Sequence, residues 1–347
     1  MGDSQYEDKG LTGLANVGNT CYLNSCMQVL SHTYDLNNFL NTENYKKKLN
    51  KIPDSILLLE WDKLRQLMWS ENCTIAPHGF VQAIRKISSM KNKELFSGFN
   101  QNDVCEFLLF IIESFHNSLS REVDMEVNGD PKNETDLLAV KCYEMMKNMF
   151  GKTYSEMLDM FFGISVSHIR SLSTHELLSF NPEPFCTLSL SIPNKTGSAV
   201  SIIECLDEYC NVERLENENA YLNSKTGIKE DVDKGLIFWS LPNILIIDIK
   251  RYDIYGKKLQ NLVDVPLENL DLSTYVIGYN KSSYVYDLYG VCNHSGGTLG
   301  GHYTSAIKNA NGKWYEFNDT SISELNLTKI ISSKSYCFFF RKKNRGI

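Results

Sequence analysis

The sequence predicts an α+β fold. Apolar residues recur at helical spacing through roughly the first 120 residues, then at strand spacing from about Phe185 onward. Helices come first and strands afterwards, which excludes alternating βαβ units and a parallel sheet built from them.

The helical half reads in order. In Cys21 to Leu30, the apolar residues Leu23, Cys26, Met27 and Leu30 follow a one-sided helical pattern, with Asn19 and Thr20 available as caps. The spacing also predicts helices near Asp54 to Trp69, Pro77 to Ile87 and Thr135 to Phe150. Asn102 to Leu119 is the most strongly periodic stretch, with Val104, Phe107, Leu108, Ile111, Ile112 and Phe115 on one face, and Gly98-Phe99-Asn100-Gln101 reads as a break leading into it.

The strand half opens with Leu188, Leu190 and Ile192 alternating with Thr187, Ser189 and Ser191, a half-buried strand. Ile244 to Ile249 is a denser apolar run. Later strands are predicted at Tyr284 to Val291, His302 to Lys308, Lys313 to Phe317 and Tyr336 to Arg341. The polar stretch Asn211 to Lys234 reads as a mobile excursion, and no internal repeat is present.

Composition narrows the function. A chain of 347 residues with 42% hydrophobic content can bury one large core or two modest ones. A formal charge of -7 argues against a nucleic-acid partner and allows one that presents basic residues. No window approaches the roughly 18 apolar residues of a membrane span. Ten scattered cysteines, with an acidic and polar opening from Met1 to Lys9, fit reduced thiols in the cytoplasm or nucleus and no disulfide framework.

Two clusters carry chemistry. Cys21 follows the turn Val17-Gly18-Asn19-Thr20 at a helix start, where the helix dipole and free backbone N–H groups lower a thiol pKa. Alone, it reads better as a merely buried residue on a capped helix. The second cluster holds His294, the loop Ser295-Gly296-Gly297-Thr298-Leu299-Gly300-Gly301, His302-Tyr303, and Trp314 to Asp319. A histidine entering a strand after a glycine-rich loop is held rigidly while the loop admits an extended backbone. Asn318 on the next strand can accept the Nδ1–H of His302 and fix its tautomer. Alone, this cluster reads equally as a hairpin with a half-buried histidine.

The conjunction favours catalysis. The run from Gly13 to Ser25 resembles the cysteine box of the ubiquitin-specific proteases, and His294 to Asp319 resembles their histidine box, in the same order. Gly98 to Phe107 is similar to their glutamine-aspartate-glutamate box, and Leu241 to Tyr252 to the strand before their first blocking loop. The resemblance implies a papain-like thumb, palm and fingers, with a tail over 1–9 and one catalytic domain over 10–343. The thumb would end near 160, and the palm and fingers would fill about 161–343.

The resemblance also implies roles. Cys21 attacks, His302 moves the proton and Asn318 orients the imidazole. Asn16 donates to the oxyanion, an interaction worth about 3 kcal/mol where such donors have been removed elsewhere. Asp319 supports that hole. Asp103, Glu106, Gln101, His294, Gly300 and Gly301 would contact ubiquitin, the acids holding its basic tail and the glycines leaving room for its glycine-glycine end. Asp103 reads equally as a helix cap.

The implied protein is a monomeric, cofactor-free deubiquitinase acting on ubiquitin and ubiquitinated proteins. The competing expectations are a protease for a ubiquitin-like modifier and a ubiquitin-binding pseudoenzyme. Many relatives hold zinc in the fingers with two Cys-x-x-Cys pairs, but this chain has His168-Ile169-Arg170-Ser171 and Tyr221-Leu222-Asn223-Ser224 there, so no metal is expected. His168 could recruit His175, Cys205 or Cys210 only at unconvincing spacing. Asn102 stands where a glutamine or another larger polar residue is usual.

Overall fold

A computed structural model describes residues 3–194, 199–297 and 300–343. Thr298 and Leu299 of the glycine-rich loop, and Met1 and Gly2 of the tail, lie outside the described residues. Among those described, eight α-helices precede or flank an eight-stranded sheet and a separate four-stranded one.

The helices are α1 (Cys21–Ser31), α2 (Tyr34–Asn41), α3 (Pro53–Ser70), α4 (His78–Met90), α5 (Val104–Leu119), α6 (Glu134–Phe150), α7 (Glu156–Phe161) and α8 (Ile202–Tyr209). Five coincide with predicted stretches. The other three, α2, α7 and α8, have six to eight residues each, too few turns for a period to stand out.

The large sheet runs, edge to edge, through Ser321–Leu325, Trp314–Asn318, Gly300–Lys308, Val285–Gly297, Ser335–Lys342, Ile244–Lys250 and Thr187–Ser191, with Leu270–Asp271 added beside Val285–Gly297. Among the described residues its only parallel pairing joins Ile244–Lys250 to Thr187–Ser191. In Ile244–Lys250 the residues Ile244 to Ile247 and Ile249 are apolar because both faces are covered there. Ile244 and Ile246 enter the core shared with the helical half, while Leu245, Ile247 and Ile249 enter a second core that includes α8.

The helical half ends in a seam with this sheet. α1 lies against α5 on one side and against Gly300–Lys308, Val285–Gly297 and Trp314–Asn318 on the other. All eleven of its residues are buried. The expected solvent face is therefore absent, and its polar side chains point into protein.

The fingers correct the expectation for Asn211 to Lys234. Glu213–Leu215 and Val232–Ser240 are strands of the four-stranded sheet, completed by Gly163–Ser171 and Leu177–Phe185, and Tyr221–Leu222 pairs with Lys229–Glu230. This polar ribbon pairs its backbone without burying alternate side chains, so it leaves little apolar signal. Residues 3–9 are also tied down, since Tyr6 is buried and stacks on Tyr34 with ring centres 4.5 Å apart.

Candidate active site

Cys21 is the first residue of α1 and only 2% exposed. The turn before it is tied by side chains. Asn16 Oδ1 accepts the backbone N–H groups of Gly18 (3.2 Å) and Thr20 (3.1 Å), and Thr20 Oγ1 accepts that of Val17 (3.0 Å). Thr20 is the N-cap by position but makes no side-chain cap bond, so its expected role passes to this turn. The thiol also departs from expectation. Burial pushes its pKa up, a backbone hydrogen bond at Tyr303 opposes this, and the charge of Asp319 adds to it.

His302 lies two residues into the strand Gly300–Lys308. Its Nε2 meets Asn318 Oδ1 at 2.7 Å. Asn318 is therefore the partner expected, but through the other ring nitrogen. An amide oxygen only accepts, so Nε2 carries the proton and Nδ1 is the basic atom. The reason is the pairing of the two strands, Ser305 opposite Phe317, which brings the end of Trp314–Asn318 alongside the imidazole.

Asp319 connects these pieces. It has the left-handed φ of 49°, uncommon for a non-glycine residue. Its backbone carbonyl accepts from Leu14 N at 2.9 Å, Oδ2 accepts from Asn16 Nδ2 at 3.1 Å, and Oδ1 accepts from Asn24 Nδ2 at 2.7 Å. Thus Cys21, Asn16, His302, Asn318 and Asp319 are assembled around one seam. Sequence reasoning missed Asn24; its signal was an amide side chain one turn after Cys21 on a helix that begins with a candidate nucleophile.

Beside the seam opens a cleft of about 700 Å³ whose walls include Gln101, Asp103, His294, Gly301, Tyr303 and Tyr336. Asp103 caps α5, with Oδ1 accepting from Cys105 N (2.8 Å) and Glu106 N (3.1 Å), while Oδ2 accepts the Tyr336 hydroxyl at 2.7 Å. Glu106 is exposed. Gln101 binds both backbone groups of Gly301, donating Nε2–H to its carbonyl (2.7 Å) and accepting its N–H (2.5 Å).

His294 differs from expectation. It is 6% exposed beneath Gly301, and Lys258 Nζ lies 3.0 Å from its Nδ1. Burial, then the Lys258 charge, lowers its pKa to about 4, so it is a neutral packing residue. It also explains Gly301, where a Cβ would lie 2.3 Å from His294 Nε2 and 2.4 Å from the Ser295 carbonyl. The protein's own packing excludes a side chain there, independent of any substrate. At Gly300 a Cβ would come within 3.1 Å of Gln101 Oε1.

The positions that hold zinc in many relatives do not fit it here. His168 is on the strand Gly163–Ser171 with Nδ1 unpartnered, against Gly235. His175 is exposed, and Cys205 is on the buried face of α8. Among the described residues no three His, Cys, Asp or Glu side chains converge as metal ligands.

A thiol at a helix start beside a histidine–asparagine pair on an adjoining sheet defines the class of papain-like thiol hydrolases. Residues 12–340 match the ubiquitin carboxyl-terminal hydrolase family, and the chain belongs to it. It is 32% identical over 345 residues to ubiquitin carboxyl-terminal hydrolase Usp2 of Drosophila melanogaster, covering 97% of this chain and 35% of that protein. It is 31% identical to ubiquitin carboxyl-terminal hydrolase 2 of Gallus gallus, covering 96% and 93% respectively. The chain spans 35% of the Drosophila relative and 55% of the Bos taurus one. Its fold is similar to that of the SAGA Ubp8/Sgf11/Sus1/Sgf73 deubiquitinating module solved with ubiquitin aldehyde. The TM-score is 0.72 at 22% identity, over 98% of this chain and 71% of that one.

Proposed function

We propose that this chain is a thiol-dependent deubiquitinase, hydrolysing the peptide or isopeptide bond after the C-terminal glycine of ubiquitin. The observation that carries the reading is the 2.7 Å contact of His302 Nε2 with Asn318 Oδ1, on strands packed against the helix that Cys21 begins. It leaves Nδ1 as the base.

His302 Nδ1 takes the Cys21 proton as sulfur attacks the glycine carbonyl carbon, and the carbonyl electron pair moves onto oxygen. The Cys21 backbone N–H and Asn16 Nδ2 stabilise that oxyanion, Asn16 using the hydrogen it does not give to Asp319. Collapse expels the amine, which takes the proton from His302, and water then hydrolyses the thioester with His302 again as base. Burial raises the pKa of the free thiol, so a base is needed to take its proton.

The exposed Glu106 and the partly engaged Asp103 supply the acidic wall for ubiquitin's basic tail. Gln101 must release Gly301 before an extended tail can pair with that backbone. The ten free cysteines support a reducing compartment, cytoplasm or nucleus, where the chain would work as a monomer. The test is release of a fluorophore amide from ubiquitin, compared with the same amide on ubiquitin-like modifiers. Turnover of ubiquitin alone is expected; preference for another modifier would redirect the reading, and turnover of none would make the chain a binding domain.

A further inference from the structure

Asn24 stands one turn beyond Cys21 and is only 3% exposed. Its Nδ2 donates to the Leu14 carbonyl at 3.1 Å and to Asp319 Oδ1 at 2.7 Å. Both partner atoms are acceptors only, so the amide cannot be turned over. Its own Oδ1 is buried with no hydrogen-bond partner. An unpartnered buried acceptor is unfavourable, and a residue of similar volume without polar atoms would avoid it. Something about the donor side offsets that cost.

The donor side reaches the chemistry through Asp319. One carboxylate oxygen is held by Asn24 and the other by Asn16, and the residue directly follows Asn318. We infer that Asn24 is a positioning residue for acyl transfer, fixing the Asp319 carboxylate so that Asn16 faces the oxyanion. This rests on the thiol-hydrolase reading above. Steps that build an oxyanion need this support; a displacement at sulfur that forms no oxyanion does not.

The test compares two reactions of Cys21. In acylation by a short peptide thioester ending in Gly-Gly, Sγ bonds the carbonyl carbon and the electron pair moves to oxygen. The departing thiol then takes the proton that His302 removed. Iodoacetamide instead alkylates Sγ with loss of iodide and passes through no oxyanion. In Asn24→Leu, acylation and kcat for a ubiquitin amide should fall by on the order of 10 to 100-fold, with KM and the alkylation rate unchanged. Equal loss of acylation and alkylation, or loss of neither, overturns the inference.

Asn24→Asp sets a carboxylate against Asp319 and should be at least as damaged. Adding Asp319→Asn restores an amide–carboxylate pair and should recover part of the acylation rate. That comparison decides the matter if leucine is not accommodated, because no recovery in the double variant overturns the inference too. A wild-type protein acylated by the thioester yet inert toward ubiquitin amide would instead count against the ubiquitin reading and leave the role of Asn24 measurable.

Discussion

Two polar stretches of this chain use similar residues to opposite ends. On α1, Asn24 and Gln28 are buried, and their amides reach backbone and carboxylate across the seam, Gln28 to the Thr12 carbonyl at 2.7 Å and Asn24 to Asp319. In the fingers, the residues around 211–234 are mostly exposed and pair chiefly through backbone, with Leu222 and Ile228 standing out to solvent. A buried amide is fixed by the partners it must find, whereas an exposed one is exchangeable with water. Changes at the seam should therefore cost chemistry, and changes in the fingers little.

The largest expected effect is at the seam. Cys21→Ala should abolish hydrolysis of a ubiquitin C-terminal amide while leaving ubiquitin affinity largely intact, because the thiolate is needed for chemistry and the acidic wall is separate from it. Turnover and calorimetric binding together check this, and retained turnover would remove Cys21 from the mechanism. Cys26, fully buried further along the same helix, should matter only for packing.

Next comes Asn318. A neutral amide orients the imidazole without supplying charge, so Asn318→Ala should lower kcat by on the order of 10 to 10³-fold with KM nearly constant, less than His302→Ala. Asn318→Asp keeps an acceptor at the same place and should retain substantial activity. Steady-state kinetics on the three variants decide it. Full activity in Asn318→Ala, with Asp319→Ala as damaged as His302→Ala, would move the third role to Asp319.

A smaller effect concerns stability. Burial lowers the pKa of both His32 and His294 to about 4, from the ordinary 6.5. Between those values the unfolded chain binds more protons than the folded one. The stability from keeping both rings neutral is present above about pH 6.5 and is lost as pH falls toward 4, by up to about 1.4 kcal/mol per pH unit for each histidine. Urea unfolding at pH 7 and pH 5 should show this loss, and His32→Leu should flatten it. An unchanged slope in that variant would mean His32 is not one of the titrating groups.

The smallest effect is expected in the fingers. A structural zinc would couple metal binding to folding, so a fingers region that works without one should have a melting temperature indifferent to chelator. One stoichiometric zinc by elemental analysis, with a chelator-sensitive melt, would show that ligands other than the usual pairs have been recruited. Leu222→Ser and Ile228→Ser, both more than half exposed, should likewise leave the melt within about 0.5 kcal/mol of wild type.

The same contrast explains what the sequence made legible. Cys21, His302 and Asn318 were singled out by the resemblance of the runs around them, and the structure brings His302 and Asn318 together on strands packed against α1, while long periodic helices such as α5 announced themselves. The nitrogen that meets Asn318 was not readable, since strand register sets it. Nor was the burial of His294, which depends on Gly301 and Lys258 folding over it. The burial of α1 on every side was not readable, because periodicity reports where apolar residues lie and says nothing about what covers the others. The fingers were misread for the converse reason, as a ribbon paired through backbone bears no apolar alternation.

The central claim is that the thiol at the start of α1, served by His302, reacts with the C-terminal carbonyl position of ubiquitin. Ubiquitin carrying a thiol-reactive group at its C-terminus, incubated with the wild-type protein and read by intact-mass and peptide mass spectrometry, tests it directly. One adduct per chain is expected, mapped to Cys21 and lost in Cys21→Ala. An adduct on another of the ten cysteines, or none while iodoacetamide still labels Cys21, would contradict the account.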